Sequence, residues 1–128
     1  MKLPKEPNLK KICDNLWADV VKAKAGYKSE YSGKLGKQIG GEEILNAHHL
    51  CGKGSRFLRY CLDNGMSLTM GEHKYIAHHT GRQEMFRDRV KQLRGGDIYY
   101  RLKLMKNNKS PSLILIKIYL EQELEKYK

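Results

Sequence analysis

After Pro7, the apolar residues Leu9, Ile12, Cys13, Leu16, Val20 and Val21 recur at helical spacing. This pattern predicts a helix from a cap at Asn8 to about Ala25, with Gly26 as its stop. From Tyr27 to Gly41 the residues are Gly, Ser, Lys and Tyr without periodicity, which predicts an irregular connection. Glu43 to Leu50 then predicts a short strand, Cys51 to Asn64 a long connection, and Gly65 to Thr69 a second strand. Together they form a hairpin with an unusually long loop. Such loops in small domains tend to be functional.

A short helix is predicted from Glu72 to about His79, and a longer one from Arg82 to Arg94 with Met85, Phe86, Val90 and Leu93 as its buried stripe. Gly95 and Gly96 end it. Asp97 to Lys106 aligns Ile98, Leu102 and Met105 on a third helix, and Asn107, Asn108, Ser110 and Pro111 break the pattern. The last element, from Ser112, begins with the β-prone run LILIKIYL. Leu113, Ile116, Leu120, Leu124 and Tyr127 nevertheless keep helical spacing, and helix is the predicted state. The expected fold is α+β, a mainly helical small domain built around a hairpin-and-helix core. Its 128 residues suit a single domain over 1–128, with an N-terminal helix (1–26), the core (43–80) and C-terminal helices (82–128).

Charge sharpens this picture. With 25 Lys and Arg against 14 Asp and Glu, the formal charge is +11 at pH 7, which favours an acidic partner without separating nucleic acid from anionic lipid. No apolar run approaches the roughly 20 residues that span a bilayer, and the start MKLPKEPNLKK has no apolar signal region. No membrane partner and a cytoplasmic location, in a bacterial or phage-infected host cell, are the expectations. Cys13, Cys51 and Cys61 are odd in number and lack metal-type spacing, which fits free thiols in a reducing compartment.

Four of the five histidines form the pairs His48–His49 and His78–His79, with His73 just before the second pair. On a strand, successive side chains point to opposite faces, so His48 and His49 cannot both address one metal. A division of labour follows, in which one imidazole binds a divalent cation and its neighbour takes a proton from an attacking water. Asn64 stands 15 positions after His49, at the foot of the second strand. There its amide can bridge backbone groups across the long loop or orient a histidine, although Asn-Gly alone is usually a turn. A lone helical His73 is more often surface or core than ligand. Likewise His79 reads as a bystander, Glu72 as a helix cap, and Tyr99 and Tyr100 as core or surface aromatics.

The ordered series of a histidine pair, an asparagine and a histidine resembles the HNH nucleases, whose ββα-metal motif is a hairpin and helix clasping one cation. Its spacing is similar to that of the nuclease colicins. The window NAHHLCGKGSRFLRYCLDNGMSLTMGEHKYIAH is more similar still to phage and bacterial HNH proteins that carry AHHI, LRYDLDNG, LCxxCH and AH in that order. The resemblance covers Gly26 to about Leu93. It implies His48 as metal ligand, His49 as general base, Asn64 as the orienting asparagine and His73 as a second ligand. His78 then stands as a third ligand or a phosphate contact. One divalent ion is implied, magnesium or manganese first and nickel or zinc next. DNA is the implied substrate, cut or nicked by phosphodiester hydrolysis.

The chain departs from those relatives where they hold a structural zinc with paired cysteines. Ser29, Ser32, Thr69 and Glu72 occupy those positions, and hydroxyls are poor zinc ligands. No structural zinc is therefore expected, and the loop must be held by packing and hydrogen bonds. Lys53, Arg56 and Arg59 on the loop, with Arg82 and Arg87 beyond it, are the expected DNA contacts, the loop arginines foremost. The apolar segment Leu113 to Leu120 admits a homodimer seam but is more often core. Two other readings stand beside the nuclease: a non-catalytic basic DNA-binding module derived from the same fold, and a histidine-rich metal-storage or sensing protein. The retention of His49 disfavours the first, and the basic loop with Asn64 the second.

Overall fold

A computed structural model describes residues 5–128. Helix α1 (Glu6–Lys24) begins two residues before Asn8, after Lys5, and no side chain caps it. Asn8 is thus inside the helix. A proline in the first turn is compatible with this start, because the N–H it lacks would have no partner there. Gly26, at φ 69°, turns the chain out of α1 as expected. The following segment is irregular, with two isolated bridges, Lys28 to Leu35 and Gly36 to Glu43, and a 3-10 turn at Lys37–Ile39.

Strand β1 (Leu45–His49) pairs antiparallel with β2 (Gly65–Thr69), in a register that sets His48 opposite Met66 and His49 opposite Gly65. The connection between them is more ordered than its sequence suggests. It contains helix α2 (Arg56–Tyr60), capped by the Ser55 hydroxyl, and a 3-10 turn at Leu62–Asn64. A single turn of helix carries too little periodicity to be read from sequence and depends on tertiary packing, here the burial of Leu58 and Tyr60.

Helix α3 (Met70–Glu72) continues directly into a π-helical turn, His73–Ala77, so the helical segment starts and ends about two residues earlier than predicted. Helices α4 (Gln83–Arg94), α5 (Ile98–Met105) and α6 (Leu113–Glu125) complete the fold. On α4 only Phe86 and Val90 are buried; Met85 and Leu93 are 52% and 41% exposed, so the apolar stripe is narrower than expected. The β-prone start of α6 is helical, as its spacing predicts.

The hairpin lies between two apolar clusters. On one side Leu9, Cys13, Trp17, Val20 and Val21 of α1 pack with Tyr60 and with Leu113, Ile116 and Leu120 of α6. These three α6 residues are therefore core rather than a free seam; Leu115, Ile118 and Tyr119 remain exposed. On the other side Leu50, Leu58, Met66 and Leu68 pack with Ala77, Phe86, Val90, Ile98 and Leu102. Every residue of β2 is buried, as a strand between two cores must be.

Gly65 marks the closest approach of hairpin and helix. A Cβ there would lie 2.4 Å from Val21 Cγ2 and 2.8 Å from Trp17 Cζ2. Gly65→Ala should therefore cost about 1–3 kcal/mol, as overpacking of a filled core does. Urea denaturation checks this, and an unchanged midpoint would show that α1 can move away freely. Among the described residues no helix is long and apolar enough to cross a membrane.

Candidate metal centre and the adjoining histidine

The alternation of β1 separates the two adjacent histidines as the sequence requires. Asn46 and His48 face one side, and Ala47 and His49 the other. His48 is buried, with its ring edge-on to Phe86 at 5.4 Å, to His73 at 5.1 Å and to His78 at 4.9 Å between centroids. His73 and His78 are five residues apart, which on a regular α-helix would turn them about 140° from one another. The π turn closes with the His78 N–H donating to the His73 carbonyl at 3.3 Å and brings both rings to one side. Their Nε2 atoms are 3.0 Å apart, and one nitrogen from each of the three rings lies within 4.8 Å of the others. The cluster could hold a metal ion.

Asn46 supports it from the same face of β1, with its side-chain amide 3.3 Å from His73 Nδ1. The amide faces the ring through Nδ2, which donates to Nδ1; turned end for end, its Oδ1 would accept the Nδ1 proton and leave the Nε2 lone pair available to a cation.

His49 is held quite differently. Its Nε2 lies 2.9 Å from the Arg59 carbonyl, which can only accept, so Nε2 carries the proton and Nδ1 the free lone pair. Its ring stacks on Trp17 with centroids 3.9 Å apart and planes within 5°. Trp17 is fixed in turn by donating Nε1–H to the Cys61 carbonyl at 3.0 Å. Asp14 of α1 receives Arg59 through two short hydrogen bonds, 2.8 and 2.7 Å, which anchors the turn whose carbonyl orients His49. One cleft of about 410 Å³ is lined by His48, His49, His73 and His78, together with Asp14, Trp17, Gly52, Lys53 and Arg59.

Burial governs the protonation of this group. It lowers His48 to about 3, reinforced by His73, His78 and His49. It also pushes His73 and His49 below the ordinary imidazole value, and the nearby Lys53 and Arg59 add to the effect at His49. His48, His73 and the adjoining His49 are thus neutral near pH 7. For Asp14, burial would raise the carboxyl, but Arg59 outweighs it and holds the group below the usual carboxylate range.

A stability consequence follows for His48. The unfolded chain takes up its proton near 6.5 and the folded chain only near 3, so the neutral form's contribution is complete above 6.5 and is lost as pH falls toward 3. The loss should be on the order of 2 kcal/mol by pH 5. Thermal unfolding of the metal-free protein should show the fall, and a flat midpoint from pH 7 to 5 would contradict it. A bound cation should offset part of it, because it competes with protons for the same lone pairs.

Asn64 is fully buried, but its amide reaches no histidine. Its Oδ1 accepts from the Cys51 N–H at 2.8 Å, and its Nδ2 donates to the carbonyls of Gly52 and Leu58 at 2.9 and 3.0 Å. It ties the long connection together, so its part in the site is positional rather than catalytic. The expected DNA contacts also disperse. Lys53 lines the histidine cleft, but Arg59 is occupied by Asp14, Arg56 lines a separate cleft with Tyr60 and Ile116, Arg82 leans toward the Tyr75 carbonyl at 3.5 Å, and Arg87 lies over Tyr99 of α5. Of the loop cations, Lys53 and the Asp14-paired Arg59 line the histidine cleft, and Arg56 lines the other. Arg94 turns inward to bond Glu30 and the Gly65 carbonyl.

Ser29, Ser32, Thr69 and Glu72 form a hydrogen-bonded knot. Ser29 Oγ donates to Glu72 and accepts the N–H groups of Tyr31 and Ser32; Thr69 and Glu72 cap α3 reciprocally. Glu72 is thus a cap, as read from sequence. His79 accepts the Gly81 N–H and stands outside the cluster. Asp14, Trp17 and Asn46 are the residues the sequence did not single out. Asn46 was within reach, two residues before His48 on the same strand face, whereas nothing local links α1 to the hairpin. No family model matches this chain, and neither does any curated protein or solved structure searched.

Proposed function

We propose that this protein is a metal-dependent endonuclease that hydrolyses DNA phosphodiester bonds with His49 as general base. The observation that carries the reading is the single cleft in which a three-imidazole cluster adjoins a fourth histidine of fixed tautomer. A divalent cation held by His48, His73 and His78 would polarise the phosphate and stabilise the departing 3′ oxygen. His49 takes a proton from water at Nδ1 as the water oxygen attacks phosphorus and the bond to the 3′ oxygen breaks. The Arg59 carbonyl, on Nε2–H, stabilises the imidazolium that forms, and Trp17 holds its plane. Lys53 offers charge to a flanking phosphate. A ligand set of three imidazoles without a carboxylate favours manganese, nickel or zinc over magnesium, which prefers oxygen donors.

The test is incubation of supercoiled plasmid with the protein in EDTA and with each of these ions, beside calorimetric titration of the same ions. Nicking that needs the metal, with metal affinity weakened in His78→Ala, is the expected result. DNA binding without cleavage by any ion, on linear, branched and single-stranded substrates as well, would replace the nuclease with a basic binding module.

A further inference from the structure

The chain between β1 and α2 is a ridge between two clefts. On one side Gly52 and Lys53 line the histidine cleft; on the other Cys51 and Gly54 line a second cleft of about 700 Å³. The opposite wall of the second cleft carries Arg87 of α4 with Tyr99, Tyr100, Lys103 and Lys106 of the α5 region. No carboxylate lines it. Among the described residues Arg87, Lys103 and Lys106 form no salt bridge, whereas Arg59, Arg94 and Arg101 are each bound by one. Tyr100 is 67% exposed, and the Arg87 guanidinium lies 4.3 Å over the Tyr99 ring.

We propose that this cleft is a subsite for unpaired nucleotides, taking the strand that continues from the histidine cleft across the ridge. The proposal rests on the nuclease reading for the direction of the strand and on the cleft itself for its chemistry. Three cations without carboxylate partners suit successive phosphates, and an exposed aromatic face suits a base. The base must be unpaired, since in a duplex both of its faces are covered by neighbouring pairs. Both glycines of the ridge present bare backbone to open space, since a Cβ at Gly52 or at Gly54 would meet no atom within 4 Å. The sequence alone reads Tyr100 as an ordinary surface aromatic; its position beside three cations in a concave wall gives it this role.

The experiment measures fluorescence anisotropy of labelled oligothymidylate and of a blunt duplex of equal length, with the full chain in EDTA so that nothing is cut. Tyr100→Ala should weaken oligothymidylate binding about tenfold, within the range for one stacked base, and leave the duplex little affected. The double change Lys103→Ala and Lys106→Ala should lower the salt dependence of log affinity by about 1.4, two phosphate contacts on a single strand. All three side chains are exposed, so unchanged thermal unfolding confirms that the variants fold. Unaltered oligothymidylate affinity in Tyr100→Ala, or an equal loss on the duplex, overturns the subsite. So does an effect of these changes confined to phosphatidylglycerol vesicles, which would mark a lipid surface instead. Binding is read without cleavage, so failure of the nuclease reading would appear separately, in the plasmid assay.

Discussion

Replacing His49 with alanine is expected to slow metal-dependent nicking by about 10²- to 10⁴-fold, the range for a positioned general base, while leaving metal affinity intact. The separation follows from the strand. His49 and His48 leave β1 on opposite faces, and the trio that could hold a metal, His48, His73 and His78, does not include His49. Removing the ring vacates the space beside Trp17 and frees the Arg59 carbonyl, and it leaves the ring contacts among the three imidazoles in place. Plasmid nicking and calorimetric metal titration on the same preparation check both halves. Cleavage retained at the wild-type rate would remove His49 from the mechanism. Loss of cleavage only in proportion to lost metal affinity would make it a structural support.

The pH dependence should follow the same residue. In the proposed mechanism His49 acts as neutral imidazole, and burial places its titration below the ordinary histidine value. The rate should therefore hold as pH drops from 8 through 6.5 and fall only below that.

Asn64→Ala should be the most damaging single truncation of a polar side chain, at about 3–5 kcal/mol. It would strand the buried Leu58 carbonyl, at about 1–3 kcal/mol, remove the partner of the partly buried Cys51 N–H and Gly52 carbonyl, and leave a cavity where the fully buried amide stood. Asn64→Asp preserves the acceptor for Cys51 but removes both donors and buries a charge, so it should rescue little. Urea denaturation measures the loss, and a cost below about 1 kcal/mol would mean that the connection holds without its central amide. A destabilised connection should also impair His49, whose orienting carbonyl lies at Arg59 within the same segment.

The legible parts of the fold were those with enough residues to express a period. The long helices α1, α4 and α6 could be read from their apolar spacing, and β2 was read at its observed bounds. By contrast α2 has five residues, and the π turn differs from an α-helix by one extra residue in its hydrogen-bonded ring, which no apolar pattern records. At the site, the histidine pair was legible because a strand must part its neighbours, and Asn64 because its place suggested a bridge across the loop. The partners of the basic residues were not legible, because charge along the chain does not reveal where a carboxylate waits. Arg59 finds Asp14 45 positions away and Arg94 finds Glu30 64 positions away, and both cations are committed to holding the fold.

By itself the sequence determined an α+β class, the helical faces, the strand that parts His48 from His49 and the basic character of the whole. It also placed the four histidines of the cleft within one stretch of chain. Only the tertiary structure decided that His73 and His78 meet His48, because that depends on the π turn and on the docking of the helical segment against β1, where Phe86 packs edge-on to His48. Tertiary structure alone also decided the tautomer of His49, through Trp17, Asp14 and Arg59 from two other elements. Periodicity records which side of an element faces the interior; which residues it meets there is set by how separate elements dock, and the chemistry of this cleft depends on those encounters.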